Sequence, residues 1–364
     1  MAPFVAPEQL RGKAPATVSG RRVFFDYNTG AGGFRPLDVS FVTFTTIERI
    51  STFTSMTLET WTGPVSMAFY ARNLADVDKL DSFLATFARF KEAVTIHVVF
   101  PKSIKEAFPI NMLRNLAESQ ATTTHVFHCD IDMVPSRFFY PNLINTHRPL
   151  LRQSLDENVA LVVPVFEQSR PYLNVQNLET LPLDPDTARL WLQDARLRPF
   201  HYKCTQCQNY TDLPRWLLSK SAYRLEDIGA KYEPYVILPN RRLHWDEDFA
   251  GYGRDKPLYY FEMFSLLNYS AVVLPDVFLI HKDHKRSKDA GKFRRNEAVR
   301  KERAKLFYEQ KHLLIKRYLA MEKEQRNHRD TPSDTHGAGS LYLLGLAFLI
   351  LWIMSRMKVF PFSV

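Results

Sequence analysis

Thr124-His-Val-Phe-His-Cys-Asp-Ile-Asp-Met-Val-Pro135 is an extended, mostly apolar run that ends in two aspartates separated by one residue. Two acids at i and i+2 of an extended segment project to the same side, about 7 Å apart along the chain. Carboxylates so spaced hold one hard cation, directly or through water, and leave positions for phosphate oxygens. A cation there neutralises charge on a departing diphosphate. Alone, Asp-x-Asp recurs by chance in surface loops. The strand-like residues before Asp130 and the apolar Met133-Val-Pro135 after it favour a strand end.

Outward from this run, strand-like and helix-like segments alternate. Val39-Ser-Phe-Val-Thr-Phe-Thr-Thr46, Val65–Tyr70 and Val94–Phe100 read as strands, whereas 48–61, 74–90 and 111–118 carry helical apolar spacing. That order predicts an α/β fold: a mostly parallel, Rossmann-like sheet with helices on both faces. Such sheets bind ligands at the carboxyl ends of their strands, where Asp130 and Asp132 lie. Asn158–Phe166 and Val272–Ile280 read as two more buried strands, and 167–230 as an irregular substrate-side insertion.

The expected organisation is a flexible leader over 1–37, a catalytic domain over 38–325, a polar linker over 326–339 and a transmembrane helix over 340–356. Leu341–Met354 carries no charge, and Gly337–Ser340 extends it to about 18 residues, the lower limit for a span. A buried core helix is the alternative. It fits less well, because the run is apolar on every face and follows a polar linker.

The net charge of +9 would suit nucleic acid or an anionic surface. Much of the excess sits between Lys282 and Arg326 in one charged helix and its entry loop, and no recognition helix or zinc finger occurs, so a nucleic-acid partner is not expected. Three cysteines cannot build a disulfide framework or a four-thiolate zinc site. Cys204-Thr-Gln-Cys207 can form a local disulfide.

Two further blocks carry chemistry. His281-Lys-Asp-His284 follows a strand, and a histidine there completes a Mn-type site of two carboxylates and one imidazole. His244-Trp-Asp-Glu-Asp-Phe-Ala-Gly-Tyr-Gly253 combines acids, aromatics and glycines. Asp246 or Glu247 is the candidate general base, and Gly251 and Gly253 permit close approach of backbone to a ligand. An acidic loop capping the next helix is the plainer reading.

Seven ordered motifs carry a resemblance. They are Trp61–Tyr70, Phe108–Ala117, Cys129–Pro135, Ala160–Glu167, Glu233–Val236, Trp245–Gly253 and Val273–His281. Together they resemble the glucuronyltransferase module of the LARGE glycosyltransferases and the related β-1,4-glucuronyltransferase, over about residues 38–315. The resemblance implies a GT-A fold, a UDP-sugar donor, Mn²⁺ and inverting transfer to a glycan or glycoprotein. It implies metal binding by Asp130, Asp132 and His281, and nucleotide-sugar contacts from Asn111, Arg114, Asn115, Asp130, Gly251 and Gly253. Asp246 is the preferred base over Glu247. The expected sugar is glucuronate, with N-acetylglucosaminyl or xylosyl transfer, or an inactive glycan-binding homologue, as alternatives.

One departure bears on the sugar: Cys207-Gln-Asn-Tyr-Thr211 leads to Trp216 without the histidine the family tends to carry there. The family works in the Golgi lumen, and the acceptor sequons Asn209-Tyr-Thr211 and Asn268-Tyr-Ser270 agree with it. A carboxy-terminal anchor would instead leave the catalytic part in the cytosol.

Overall fold

A computed structural model describes residues 15–30, 36–169, 178–202, 204–229, 231–240, 243–284 and 288–329. At its centre β3 (Val39–Thr45), β4 (Val65–Tyr70), β5 (Val94–Val99) and β6 (His125–His128) run parallel in the order β5-β4-β3-β6. Strands buried on both faces read as near-continuous apolar runs. In β4, Met67 and Phe69 enter one core with Phe41, Trp61 and Phe127, while Ala68 and Tyr70 enter another.

Helix α1 (Leu74–Thr86) starts at Asn73, whose side chain accepts from the Asp76 amide, and lays Val77, Leu80 and Leu84 on the first core. Helix α2 (Ile110–Ser119) covers the other face with Met112, Leu113 and Leu116. The segment expected as a helix over 48–61 is helical but irregular, passing through 3-10, α and π turns between Ile47 and Thr60.

The expectation of a mostly parallel sheet is corrected. β12 (Tyr235–Pro239) lies antiparallel between β6 and β8 (Val159–Val163), because the chain re-enters the sheet from the far side after the insertion. β13 (Ser270–Val273) continues parallel to β8, and β11 (Tyr223–Arg224) closes that edge antiparallel. The opposite edge is a hairpin, β1 (Ala16–Val18) and β2 (Arg21–Asn28), with β2 antiparallel to β5. Thus 16–28 belongs to the sheet, although its composition suggests part of a loose leader.

Each of the two long apolar runs divides into two strands. Asn158–Phe166 breaks at Pro164 into β8 and β9 (Val165–Gln168), and Val272–Ile280 breaks at Pro275 into β13 and β14 (Leu279–His281). Proline removes a ladder donor, so it stands at breaks, edges and ends of strands. The second halves join β7 (Met133–Pro135) and β10 (Leu197–Pro199) in a small sheet of order β10-β9-β14-β7.

The expected transmembrane helix has no counterpart among the described elements. Among the described residues no helix is long and apolar enough to cross a membrane. Residues 340–356, where it was expected, lie outside the described residues. The long helix that is described, α4 (Glu297–Arg329), is charged, and it packs Leu314 and Ile315 on Phe249, Leu258, Phe261 and Leu266. It follows α3 (Lys288–Arg295).

Candidate functional site

The small sheet assembles the site. In the β14–β7 pairing His281 lies opposite Met133, and the Lys282 amide donates to the Asp132 carbonyl at 2.8 Å. This brings together residues far apart in sequence: one ligand atom each from Asp132, His281 and His284 lies within 4.8 Å of the others. His284 Nε2 is 2.6 Å from Asp132 Oδ2, and Arg49 approaches the same oxygen at 3.4 Å. Burial lowers the pKa of His281, with Asp132 opposing, which favours the neutral imidazole that a metal requires. A set of two imidazoles and one carboxylate fits a transition ion such as Mn²⁺ better than the oxygen-only sets of Ca²⁺ or Mg²⁺.

Asp130 is not in that group. Its Oδ2 is 2.7 Å from Lys256 Nζ and accepts from the Tyr235 hydroxyl at 2.5 Å, and Arg114 lies 3.7 Å from Oδ1. Burial would raise its pKa, but Lys256, Arg114 and the Tyr235 bond outweigh burial and hold the carboxyl well below its usual range. The antiparallel placement of β12 explains Tyr235: with Ile237 opposite Phe127, its first residue falls beside the carboxyl end of β6. The space around Asp130, lined by Arg114, Lys256, Trp245 and Tyr260 among others, measures about 10 Å³, roughly one water.

Helix α2 carries Asn111, Arg114, Asn115 and Glu118 at spacings of three and four, one face of a helix. Asn111, Arg114 and Asn115 hold the acidic loop, and Glu118 pairs with His128 at 2.7 Å. Asn111 Nδ2 donates to the carbonyls of Asp246 and Asp255 at 2.7 and 3.2 Å. Asn115 exchanges bonds with both main-chain groups of Trp245 and donates to Glu247 Oε1 at 3.0 Å. Arg114 reaches Asp255 at 2.9 Å and lies 4.5 Å over the Trp245 ring. Asn111 and Asn115 therefore position the loop, and Arg114 is the member of the set that also faces Asp130.

Gly251 and Gly253 both have positive φ, 77° and 107°. A Cβ on Gly253 would fall 2.3 Å from Phe293 of α3, so that glycine serves close packing of helix on loop. Asp246 and Glu247 face a separate cleft of about 750 Å³ between α2, the loop and α4. Burial raises the pKa of Asp246, and the neighbouring charges of Asp248 and Glu247 add to it. Glu247 Oε2 accepts from Ser19 at the turn of the β1–β2 hairpin, 2.7 Å away. Trp245, which lines the space at Asp130, stacks at 3.8 Å on Tyr259, which lines the cleft.

The sequence expectation omits Lys256, Tyr235, His284, Arg49 and Glu233. His284 stands in the quoted His281–His284 run, and Tyr235 and Glu233 in a quoted motif. Lys256 and Arg49 carry no local signal. The Glu233 carboxyl is pushed up to about 7 by burial; Asp255 adds to the shift, and Lys256 and Arg114 oppose it. The insertion contributes Phe200, packed on the His281 ring at 4.8 Å, and the disulfide Cys204–Cys207.

Comparison with known proteins gives this geometry a family. The chain is 32% identical over 270 residues to the xylosyl- and glucuronyltransferase LARGE2 of Rattus norvegicus, covering 73% of this chain and 37% of that one. It is 29% identical over 261 residues to the glycosyltransferase-like protein gnt14 of Dictyostelium discoideum, covering 69% and 38%. The chain thus spans less than two fifths of the length of these relatives. Among solved structures, S. aureus TarS 1-349 aligns over 67% of this chain and 60% of its own, with 11% identity and a TM-score of 0.39. The profile of the family described as "Glycosyl-transferase for dystroglycan" matches residues 102–319, more than half of the chain. On that match, and in accord with the seven motifs, the chain belongs to this LARGE-type glycosyltransferase family.

Proposed function

We propose that the chain moves a sugar, glucuronate first among the candidates, from a UDP-sugar onto a glycan acceptor with inversion and with help from a divalent cation. The observation that carries this reading is the meeting of Asp132, His281 and His284 beside Asp130, at the mouth of the sheet. When bound there, a Mn²⁺-type ion would be held by those three side chains and would offset charge on the leaving diphosphate.

The chain's own groups do the rest. Arg114 and Lys256 supply positive charge next to Asp130, where an anionic diphosphate gains most from it. Asp246 or Glu247 takes the proton of the acceptor hydroxyl as its oxygen attacks the anomeric carbon, while the bond from that carbon to the diphosphate oxygen breaks. Trp245, on the wall of the space at Asp130, helps keep water from the reacting carbon. The Cys204–Cys207 disulfide supports an oxidising compartment such as the Golgi lumen.

UDP release measured across UDP-glucuronate, UDP-xylose and UDP-N-acetylglucosamine, with Mn²⁺ and with chelator, tests the reading. One donor should be turned over in a cation-dependent way, and Asp132→Ala should lower that rate at least a hundred-fold. Turnover that ignores both the cation and Asp132 would remove the proposal.

A further inference from the structure

Asn268 is exposed and has a φ of 52°, one residue past Leu267, which caps a helical segment formed by Pro257–Phe261 and the π turn Glu262–Leu266. Asparagine is one of the few residues that tolerate this left-handed position, so a helix cap accounts for its backbone. It does not account for the side chain. The Asn268 amide group makes no hydrogen bond among the described residues. Its neighbours are tied down: the Leu267 amide donates to the Glu262 carbonyl at 2.9 Å and the Tyr269 amide to the Met263 carbonyl at 3.1 Å. The Leu267 carbonyl accepts from Asn158 Nδ2 at 2.9 Å. A rigid turn thus holds an unbonded amide in solvent, two residues before Ser270.

We infer that Asn268 carries an N-linked glycan, with Ser270 as the hydroxyl that completes the Asn-x-Ser acceptor. The inference rests on the lumenal reading above and is independent of the transferase chemistry. A glycan is bulky and needs an asparagine at the surface. Tyr269 is buried in the core that holds Met263 and Tyr260, so the glycan is anchored next to a fixed residue while Asn268 itself stays outside. The step joins Asn268 Nδ2 to the anomeric carbon of an oligosaccharide held on a polyprenyl diphosphate. The bond from that carbon to the diphosphate oxygen breaks, the polyprenyl diphosphate leaves with the pair, and the amide proton passes to a base of the transferring enzyme.

The topology keeps such a glycan off the site. β12 is antiparallel to both β6 and β8, and β13 is parallel to β8, so β6, β8 and β13 share one direction. Asn268 precedes the amino end of β13, whereas Asp130 follows the carboxyl end of β6. The four residues of β13 alone separate the two ends of the sheet by about 13 Å, at ~3.3 Å per residue. The other sequon, Asn209-Tyr-Thr211, puts its hydroxyl to a different use. Thr211 is 3% exposed, and its Oγ1 is 2.8 Å from the buried Tyr232 hydroxyl, so that oxygen serves packing.

Expression of the full chain in cultured mammalian cells tests this, read by gel mobility before and after peptide-N-glycosidase F and by the mass of the peptide that contains residue 268. Wild type should lose a mobility step on treatment, with an aspartate left at position 268. Asn268→Gly keeps the left-handed backbone and Ser270→Ala keeps the asparagine, and both should lack that step. Asn209→Gln should retain it. A step that survives Asn268→Gly or Ser270→Ala, or that Asn209→Gln abolishes, would overturn the assignment. Protease added to sealed membranes separates the remaining failures. A protected chain unmodified at Asn268 would overturn the site and leave the lumenal reading standing, whereas a chain open to the protease would overturn both.

Discussion

Lys256 sets its ammonium 2.7 Å from Asp130 Oδ2, and both groups also reach the Tyr235 hydroxyl. The pair lies in the mouth of the sheet, with side chains 22% and 29% exposed. Removing one partner leaves a charge without its main compensation in a poorly hydrated place. Lys256→Met should therefore destabilise the fold by about 2–3 kcal/mol, below the range for a fully buried pair. Calorimetric UDP affinity should fall more than ten-fold, and Lys256→Arg should restore part of both. Urea unfolding unchanged by Lys256→Met would show that the ion pair adds nothing.

The imidazole pair makes a sharper test of metal binding than the Asp-x-Asp motif does. Because His284 Nε2 stands 2.6 Å from Asp132, His284→Ala should weaken Mn²⁺ at least ten-fold, as His281→Ala should. Asp130→Asn should weaken it less, since that carboxylate is engaged by Lys256. Mn²⁺ paramagnetic resonance titrations read all three. A larger loss from Asp130→Asn than from either histidine would reverse the assignment.

Acid sensitivity should come in part from His97. This residue of β5 is fully buried and accepts from the Asp26 amide at Nδ1, and burial lowers its pKa from 6.5 to about 4, with Asp26 opposing. The folded form binds its proton less readily than the unfolded chain. Its contribution is complete above pH 6.5 and is lost as pH falls towards 4, by about 3 kcal/mol. His97→Phe should flatten that part of the stability-against-pH curve. A difference between variant and wild type that does not change between pH 7 and 4.5 would refute it.

Gly253→Ala probes the loop from the other side. Positive φ and the Phe293 ring both oppose a side chain, so the substitution should destabilise by about 1–3 kcal/mol. Phe293→Ala should relieve the steric part and leave the backbone part, giving a non-additive double variant in thermal unfolding. Strict additivity would mean that α3 does not pack on the loop.

The central strands are legible because parallel strands covered on both faces read as near-continuous apolar runs, as Val39–Thr45, Val65–Tyr70 and Val94–Val99 do with only Ser, Thr and His97 among them. The same rule misleads at Asn158–Phe166 and Val272–Ile280. Each is one apolar run but two strands in different sheets, and a proline inside it is the local sign of the change. The antiparallel entry of β12 and the hairpin at 16–28 are set by what they pair with, which no local pattern records. At the site, chain proximity suggests that Asp130 and Asp132 act alike. Tertiary neighbours separate them, giving Lys256 and Tyr235 to one and His281 and His284 to the other.

The β7–β14 pairing also has a consequence for how the molecule comes into being. Asp132 leaves the ribosome 149 residues ahead of His281 (281 − 132), and nothing local holds the two together in the meantime. The parallel strands before Asp130 can condense early, whereas cation affinity has to wait for long-range closure of the small sheet. Gain of Mn²⁺ binding during refolding would thus report one of the last events, and a nascent chain released before residue 281 would be structured at its centre yet inert.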